Sequence, residues 1–450
     1  MRISNFEQTG LDEVNAFLNK TKSDITLDKL KELMKSVNIS FILEGITRLQ
    51  STLICELKDS YVQQSQRYVN MTNNGYNLSG IHPNITYMVN NLVEQTFDLY
   101  TRMTKLKDDC IQKGRPRKED YQYGIPIEDG RYILHLAATT NVHLALSGDK
   151  FIDMLITMHS FKNYEYKFFM FDIINTLYKC LHDIGSDLPK YINIWTLRDE
   201  YDIDECISDF YQMNYFYKID NKNKLVPFSS FKSPNLIVAT GAITSTSDKY
   251  PSDVTKGWND LDYTTGIIER ITGYGHMGIC EQTRHTFGIM LSLTAWHQQL
   301  RHRLPVVYRE RFNDILQDDV RPVVIPETIQ NSPFINEYID VVNQIKLFRR
   351  EYIDHNRLAM SSLLLNCDQV KVLISTNARI DEWILKERTC TNAHWEIRDL
   401  SIKKLIELRK SSNVLYEKAL PPCVNGTCKE GAMTCGKSIQ VKEFFNSLNK

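Results

Sequence analysis

The chain has 450 residues, enough for two or three domains with a hydrophobic core. Its net charge of −1 leaves no overall field that would steer it to nucleic acid or to a membrane surface. The N-terminus MRISNFEQTGLDEVNAFLNK has no apolar signal core, no run is long enough to span a membrane, and the ten cysteines lie mostly among apolar neighbours, so we expect free thiols in a reducing cytoplasm.

The N-terminal half contains one segment that reads clearly as strand, helix and loop. SFILEGITRLQSTLICELKDSYVQQSQRY (40–68) begins with alternating apolar residues, which predict a strand. About three turns of helix and a loop are predicted to follow. A second segment of this half, GRYILHLAATTNVHLALSGDKFIDML (130–155), becomes informative only when it is compared with the C-terminal half.

The middle of the chain does not continue one periodic element. Residues 191–232 contain DFYQMNYFYKID, which we interpret as aromatic-rich turns, and then NKNK and PFSSFKSP. We therefore predict a connector over 191–232. NLIVATGAI (235–243) is predicted to be the strand that opens a second domain, and the tail after Pro421 is predicted to be irregular.

The C-terminal half repeats the order of the first. TFGIMLSLTAWHQQLRHRLPVVYRERF (286–312) aligns with 40–68, so that Phe41 falls on Phe287 and Cys55 on Arg301. SSLLLNCDQVKVLISTNARIDEWIL (361–385) parallels 130–155. We predict two copies of one domain, 1–190 and 233–420, joined by the connector 191–232 and followed by a cysteine-containing tail, 421–450. Chance similarity between helix-rich segments is the alternative.

One short stretch of the second copy concentrates positive charge. In QQLRHRLPVVYRERF (298–312), Arg301 and Arg303 flank His302, and two more arginines follow in the predicted loop. Arginine suits planar, bidentate recognition of phosphate or carboxylate better than lysine does. The cluster therefore indicates an anion site, with phosphate as the favoured ligand, while a solvated helix end remains the alternative.

The segment around this cluster resembles the flavin-dependent thymidylate synthases, the ThyX family. GHMGICEQTRHTFGIMLSLTAWHQQLRHR (275–303) has the family's Gly-His, Glu, Phe-containing strand, Gln and Arg-His-Arg in order. STNARIDEWILKERTCTNAHWEIR (375–398) resembles its Asn-Ala-Arg helix and its Ala-Gln-Trp-Glu-Ile-Arg helix, with His394 in the Gln place. The resemblance covers about 235–415. It implies an α+β fold of two tandem ThyX-like domains, each a mainly antiparallel sheet flanked by helices.

The resemblance also implies an activity and its cofactors. The family carries out reductive methylation of dUMP to dTMP with FAD, methylenetetrahydrofolate as carbon donor and NADPH as reductant. No cysteine nucleophile is required, since the cofactors supply the difficult chemistry and the protein supplies position and electrostatics. The chain is therefore expected to be an enzyme of this type.

Roles for individual residues of the second half follow from the same resemblance. His276 would lie beside the flavin, and Arg379 would polarise the pyrimidine by donating to its carbonyl. FAD would be held by His276, Glu281, Arg301, His302 and Arg303, and the nucleotide would be reached by Gln298 and Arg301. Structural roles are the alternatives: a capping or core histidine at 276, packing at Glu281 and at Trp395-Glu396, and a surface arginine at 379.

The two halves depart from the family in complementary ways. The second half has Arg309 where the family's substrate-loop serine belongs, whereas the first half keeps that loop in DSYVQQSQRYV (59–69) but has Cys55-Glu56-Leu57 in place of Arg-His-Arg. The phosphate of the nucleotide would be bound by a hydroxyl, by amides and by a guanidinium. Gln63 stands where the family has Glu. These substrate-binding candidates are Gln63, Ser65, Gln66 and Arg67.

Because the family's sites form between subunits of a homotetramer, complementary loss predicts a particular assembly. Two chains would form a homodimer, a pseudo-tetramer with two live sites. Each would join the Arg-His-Arg of a second half to the Ser65–Arg67 loop of a first half. Decay of the first half to a scaffold is the alternative.

Several functional alternatives stay open. Asp149 aligns with Arg379. A carboxylate could accept from a cytosine amino group, so methylation or hydroxymethylation of a different pyrimidine nucleotide is possible on chemical grounds. The chain could also be an inactive FAD- or nucleotide-binding paralogue, or, less in keeping with its charge, an RNA-binding protein. The tail thiols Cys423, Cys428 and Cys435 are one ligand short of a closed zinc site, and we expect no metal there.

Overall fold

A computed structural model describes residues 1–21, 25–57, 59–78, 81–110, 116–160, 164–186, 188–191, 205–258, 261–353 and 357–448. The chain forms two compact units. The first unit consists of residues 1–209, 292–294 and 311–369, and the second unit of residues 210–291, 295–310 and 370–450. The division thus differs from the two halves of the sequence, because 311–369 of the second half belongs to the first unit.

The first unit contains a four-stranded antiparallel sheet with the strand order β1-β2-β4-β3. Along β4 the side chains of Thr140, Val142, Leu144 and Leu146 are buried and those between them are exposed, the alternation expected of a sheet with one face in the core. The strands are β1 (Arg2–Thr9), β2 (Asn38–Thr47), β3 (Ser60–Gln63) and β4 (Thr139–Ser147).

The sheet of the second unit has the equivalent order, β5-β6-β8-β7. Strand β5 pairs with β6, and β7 with β8, both antiparallel. The two sheets therefore have the same topology, which confirms the α+β tandem fold predicted from the sequence. The strands are β5 (Leu225–Ser230), β6 (His285–Ser292), β7 (Val306–Arg309) and β8 (Gln369–Thr376).

Helices surround both sheets. In the first half they are α1 (Leu11–Thr21), α2 (Leu27–Met34), α3 (Arg48–Cys55), α4 (Pro83–Met103), α5 (Ile127–Gly130), α6 (Gly148–Ser160), α7 (Tyr164–Asp183) and α8 (Leu188–Tyr191). In the second half they are α9 (Glu205–Asn214), α10 (Pro234–Thr246), α11 (Pro251–Val254), α12 (Leu261–Gly273), α13 (Leu293–Gln299), α14 (Phe312–Gln317), α15 (Glu327–Gln330), α16 (Ile335–Tyr352), α17 (Arg357–Ser362), α18 (Ala378–Arg388), α19 (Trp395–Ser411), α20 (Asn413–Tyr416), α21 (Pro422–Asn425) and α22 (Ser438–Ser447).

The repeated strand–helix unit is present in each half. Helix α3 follows β2 directly, and α13 follows β6. Both helices are about two turns long instead of the predicted three. Thr47 starts α3 with a capping box, since its hydroxyl accepts from the Gln50 amide at 3.1 Å and the Gln50 side chain accepts from the Thr47 amide at 2.7 Å. This exchange fixes where the strand ends and the helix begins.

The strand predicted at NLIVATGAI was wrong, because these residues lie in α10. Pro234 occupies the first turn, where its fixed φ favours a helix and its missing N–H costs no hydrogen bond. Asn235, Val238, Ala239 and Ala242 are buried with helical spacing. A short apolar run bounded by Ser and Pro is compatible with either a strand or a buried helix, and here packing of one face selected the helix.

Two other expectations differ from the structure. Part of the segment interpreted as aromatic-rich turns forms helix α9, and strand β5 lies inside the predicted connector. The tail is partly regular, since it contains α21 and α22, with Val441 and Phe445 buried in the core of the second unit. Residues 192–204 of the connector lie outside the described residues.

Among the described residues, no helix is long and apolar enough to cross a membrane.

His135 is an unusual core residue of the first unit. Its side chain is 1% exposed, neither ring nitrogen has a hydrogen-bond partner among the described residues, and Tyr76 and Phe97 pack edge-on against it. Burial lowers the pKa of His135 to about 3. The ring is therefore neutral in the folded protein over the physiological range, and its two polar atoms are unsatisfied.

We expect His135→Leu to stabilise the protein by about 1–3 kcal/mol at pH 7.5, because the substitution removes two unpaired polar atoms from the core. The gain should grow at pH 5. The unfolded histidine takes up a proton below about pH 6.5, whereas the folded one does so only near pH 3. In this window the stability of the wild-type protein therefore decreases as the pH is lowered, and at pH 5 this group accounts for a loss of roughly 2 kcal/mol.

Urea unfolding at both pH values measures the difference in the free energy of unfolding between the variant and the wild type. The exposed His143→Leu is the control, and an unchanged pH dependence in His135→Leu would contradict the prediction.

Candidate functional site

The predicted site residues form two groups, one in each unit. Gln63, Ser65, Gln66 and Arg67 lie in and after β3 of the first unit. The second unit holds the remaining candidates: His276, Glu281, Gln298, Arg301, His302, Arg303 and Arg379.

The first group is a tight turn built on Ser65. The Ser65 hydroxyl accepts from the Arg67 amide at 3.3 Å, and the Ser65 carbonyl accepts from the amides of Tyr68 and Val69 at 3.1 and 3.0 Å. These bonds bring the serine hydroxyl and the start of the arginine side chain to the same turn. The loop therefore has a defined shape before any ligand binds.

Arg67 is held by a carboxylate. It is 6% exposed, and its Nε donates to Glu128 Oε2 at 2.9 Å. A buried ion pair of this kind fixes the direction of the guanidinium, whose donors point in a rigid plane. Glu128 is thus a positioning residue for Arg67. It lies 61 residues away along the chain, in PIEDG, and no motif in the sequence pointed to it.

Gln66 is also anchored from a distant part of the chain. Asn366 Nδ2 donates to Gln66 Oε1 at 3.2 Å and to the Arg131 carbonyl at 2.9 Å. The Gln66 side chain is 2% exposed, and its Nε2 has no partner among the described residues. A bound ligand could supply the acceptor that this buried amide lacks.

Gln63 turns away from this group. Its Nε2 donates to the Ser51 hydroxyl on α3. The contact ties the end of β3 to the helix that replaces the Arg-His-Arg helix end in this half. Its predicted role in substrate binding stays a prediction.

The second group begins at the end of α13. Gln298 and His302 are each 2% exposed, while Arg301 and Arg303 are half-buried. Gln298 Oε1 and His302 Nδ1 have no hydrogen-bond partner among the described residues. Two buried polar atoms without partners, beside two arginines, fit a polar and anionic ligand such as a phosphate-bearing cofactor.

His302 is neutral. Burial, together with the charges of Arg388 and Arg301, lowers its pKa to about 3. Arg388 Nε donates to His302 Nε2, so the remaining ring proton is on Nδ1. The ring can therefore donate a hydrogen bond from Nδ1 to a ligand, and Trp383 packs edge-on against it. Arg388 was not among the residues selected from the sequence, because it has no fixed spacing from Arg-His-Arg.

The other candidates of the second unit lie at its surface. Gly275 has φ +82°, a left-handed conformation that favours glycine, and exposed His276 follows as the residue before the 3₁₀ turn Met277–Gln282. Arg379 donates to the Glu281 carboxylate, and both side chains are about half exposed. The structure thus brings Glu281 and Arg379 together. The roles predicted for them and for His276 stay predictions.

Asp149 and Arg379, which align in the sequence, occupy equivalent positions in the fold. Each is the second residue of the helix that follows the third strand of its sheet order, β4 for α6 and β8 for α18. The Ser147 hydroxyl, followed by the Lys150 amide, holds the pKa of Asp149 below its usual value despite partial burial. Asp149 is therefore a charged acceptor at the position where the second unit has a donor.

The family profile described as "Thymidylate synthase complementing protein" matches residues 10–174 and again residues 228–412, together more than half of the chain. The chain belongs to this family. The two separate matches confirm the resemblance found in the sequence, including its tandem form. They also extend it, because the sequence motifs had covered only about 235–415.

Curated relatives and solved structures each match about half of the chain. It is 26% identical over 245 residues to the flavin-dependent thymidylate synthase of Clostridium tetani, covering 50% of this chain and 96% of the relative. It is 30% identical over 222 residues to that of Thermococcus kodakarensis, covering 47% and 89%. A Helicobacter pylori ThyX structure with FAD and dUMP has 17% identity, a TM-score of 0.35, and coverage of 44% and 99%. The UMP/dUMP methylase PolB from Streptomyces cacaoi has 17% identity, a TM-score of 0.34, and coverage of 43% and 93%.

Proposed function

We propose that the protein is an FAD-dependent methyltransferase that converts dUMP to dTMP, with methylenetetrahydrofolate as carbon donor and NADPH as reductant. The observation that supports this most directly is the buried end of α13, where Gln298 Oε1 and His302 Nδ1 have no hydrogen-bond partner within the described part of the chain and lie beside two arginines. Relatives named flavin-dependent thymidylate synthase support the reaction class.

FAD would supply the reducing chemistry, and Arg301, His302 and Arg303 are the residues that would hold it. Because His302 is neutral, its Nδ1–H offers a hydrogen bond without adding a third positive charge to the site. The two arginines would compensate the phosphates of the cofactor. His276 and Glu281 complete the proposed cofactor-binding set.

The nucleotide phosphate would be bound by the Ser65–Arg67 loop. Ser65 offers a hydroxyl, and Arg67 offers a guanidinium whose Nε is held by Glu128. Gln298 and Arg301 would reach the same nucleotide from the second unit of another copy, and Arg379 is the proposed donor to a pyrimidine carbonyl. We therefore propose a homodimer, a pseudo-tetramer of four family domains with two live sites.

A different pyrimidine is the second candidate, and Asp149 favours it. If the base meets α6 instead of α18, it faces a carboxylate that accepts hydrogen bonds and cannot donate to a uracil carbonyl. A cytosine amino group would satisfy it.

An anaerobic assay tests the proposal. Purified protein is mixed with FAD, NADPH, methylenetetrahydrofolate and either dUMP or dCMP, and the products are identified by mass. We expect dTMP from dUMP and no product from dCMP. A methylated or hydroxymethylated cytidylate would select the second candidate. Bound FAD with no product from either nucleotide would indicate an inactive paralogue and contradict the proposed function.

A further inference from the structure

The second half of the chain contributes side chains that reach the Ser65–Arg67 loop of the first half. Residues 311–369 belong to the first unit, as the loop does. Two polar side chains of this stretch, Thr328 and Asn366, donate hydrogen bonds to first-half residues of the loop or of the helix that supports it. They lie 199 and 300 positions from their acceptors along the chain.

Asn366 is itself held firmly. It is 0% exposed, its amide donates to the Leu134 carbonyl at 2.8 Å, and its carbonyl accepts from the Thr294 amide at 3.0 Å and hydroxyl at 3.1 Å. Its side-chain Nδ2 donates to the Arg131 carbonyl at 2.9 Å and to Gln66 Oε1 at 3.2 Å. Because a backbone carbonyl can only accept, the orientation of the Asn366 amide is decided.

The contact with Asn366 fixes the middle of the loop. Gln66 lies between Ser65 and Arg67, and its buried side chain faces the interior of the unit. Without Asn366, Gln66 Oε1 would lose its donor, and a buried amide oxygen without a donor is unfavourable. The Gln66 side chain would then turn toward water, and the backbone of its two neighbours would move with it.

Thr328 supports the loop by a second route. Its hydroxyl donates to Asp129 Oδ2 at 2.7 Å in α5. Asp129 follows Glu128, the carboxylate that holds Arg67. The Glu128 carbonyl also accepts from Arg131 Nε at 3.0 Å. Thr328 therefore holds the short helix that aims the carboxylate at the arginine of the loop.

Helix α5 packs without room to shift. A Cβ on Gly130 would clash with the Thr104 side chain and would lie 3.4 Å from the Tyr100 ring, so the backbone of α5 lies directly against the end of α4. The Tyr100 hydroxyl in turn accepts from the amide of Met71, just after the loop, at 3.1 Å. The loop, α4 and α5 are thus joined by direct contacts.

We propose that Asn366 and Thr328 are positioning residues through which the second half of the chain sets how tightly the Ser65–Arg67 loop binds a phosphate group. This inference rests on the proposed function, in which the loop binds the nucleotide phosphate. A hydroxyl and a guanidinium bind phosphate well only when their donors point at one place, so a small displacement weakens several charge-assisted hydrogen bonds together.

The positioning role predicts a particular kinetic effect. The phosphate of the nucleotide does not react, so the loop binds it equally in the ground state and in the transition state. Loss of Asn366 or Thr328 should therefore raise the Kd and the KM for the nucleotide by the same factor. The kcat should stay within about twofold of the wild-type value.

Titration with and without the phosphate tests this role. The full chain, loaded with FAD, is titrated with dUMP and with deoxyuridine in a calorimeter, and the ratio of the two affinities is measured. Asn366→Leu, which has a similar volume and no polar atoms, should lower the preference for dUMP by about tenfold. Thr328→Val should lower it by about threefold, whereas Thr328→Ser keeps the hydroxyl and should keep the preference.

Thr176→Val is the matched control. It removes a hydroxyl that donates to the Asp172 carbonyl within α7, and it should leave the preference for dUMP unchanged. Thermal unfolding shows which variants are folded. Thr328→Val changes the side-chain volume little, so it decides the question if Asn366→Leu does not fold. Titrations with dCMP and deoxycytidine extend the test to the second candidate substrate, which carries the same phosphate.

Three results would overturn the inference. In the first, the wild type prefers the nucleotide and folded Asn366→Leu and Thr328→Val prefer it equally; the proposed function would then be unaffected. In the second, Thr176→Val loses as much preference as they do, which would assign the effect to a general loss of stability. In the third, the wild type binds nucleotide and nucleoside equally, and the proposed phosphate role of the loop fails as well.

Discussion

Mixing two inactive variants is expected to restore activity. In the proposed dimer, each live site takes its Arg-His-Arg from one copy and its Ser65–Arg67 loop from the other. Arg301→Ala removes the first contribution and Arg67→Gln the second, so each variant alone should lose activity by at least 10²-fold. In a mixed dimer, one of the two sites contains neither substitution.

The expected recovery is about a quarter of the wild-type rate. Random exchange of equal amounts makes half of the dimers mixed, and each mixed dimer has one intact site out of two. The measurement is dTMP formation after the variants are co-expressed with different tags. No recovery would show that the loop and Arg-His-Arg act within one copy, or that the first half is only a scaffold.

Controls keep this result interpretable. Arg350→Gln changes an exposed arginine that pairs with Asp319, and it should not lower activity. Arg67→Gln retains a side chain that can donate to Glu128, which limits the loss of stability from the buried pair. Circular dichroism and thermal unfolding of each variant establish that it is folded.

A large loss of stability is expected from Lys404→Met, which lies in the core of the second unit. Lys404 Nζ donates to Asp381 Oδ1 at 2.8 Å, and Thr376 Oγ1 donates to Asp381 Oδ2 at 2.8 Å. His285 Nε2 also contacts this carboxylate, and Asp381 is 1% exposed. Removal of the lysine leaves a buried carboxylate without its main counter-charge, which costs about 3–5 kcal/mol.

The same cluster should make the stability of the folded protein depend on pH in the acid range. Burial alone would raise the pKa of Asp381, but the positive charge of Lys404 and the hydrogen bond of His285 outweigh it and bring the pKa to about 2. The unfolded carboxyl titrates near pH 4. The stabilisation is therefore fully present above pH 4 and is lost as the pH falls toward 2, on the order of 2 kcal/mol in total.

Urea unfolding of three variants separates the charge effect from packing. Lys403→Met removes an exposed lysine that pairs with Asp399, and it should change the free energy of unfolding by less than about 1 kcal/mol. Asp381→Leu combined with Lys404→Met removes both charges and should recover much of the loss of Lys404→Met. A double variant as unstable as the single one would contradict a charge-based explanation.

The sequence by itself determined the family and the tandem α+β organisation, and it supplied the two groups of candidate site residues. These depend on short motifs, such as Gly-His and Arg-His-Arg, and on strand–helix periodicity, which are properties of neighbouring residues. The equivalence of Asp149 and Arg379 was also correct, because residue spacing after a strand is kept when the strand order is kept.

Only the tertiary structure decided how these residues are held. Glu128 on Arg67, Asn366 on Gln66 and Arg388 on His302 are contacts between residues 61, 300 and 86 positions apart, and no local pattern encodes such pairs. Local signals were also insufficient for NLIVATGAI, whose apolar run suits a strand or a helix until the rest of the core selects one face.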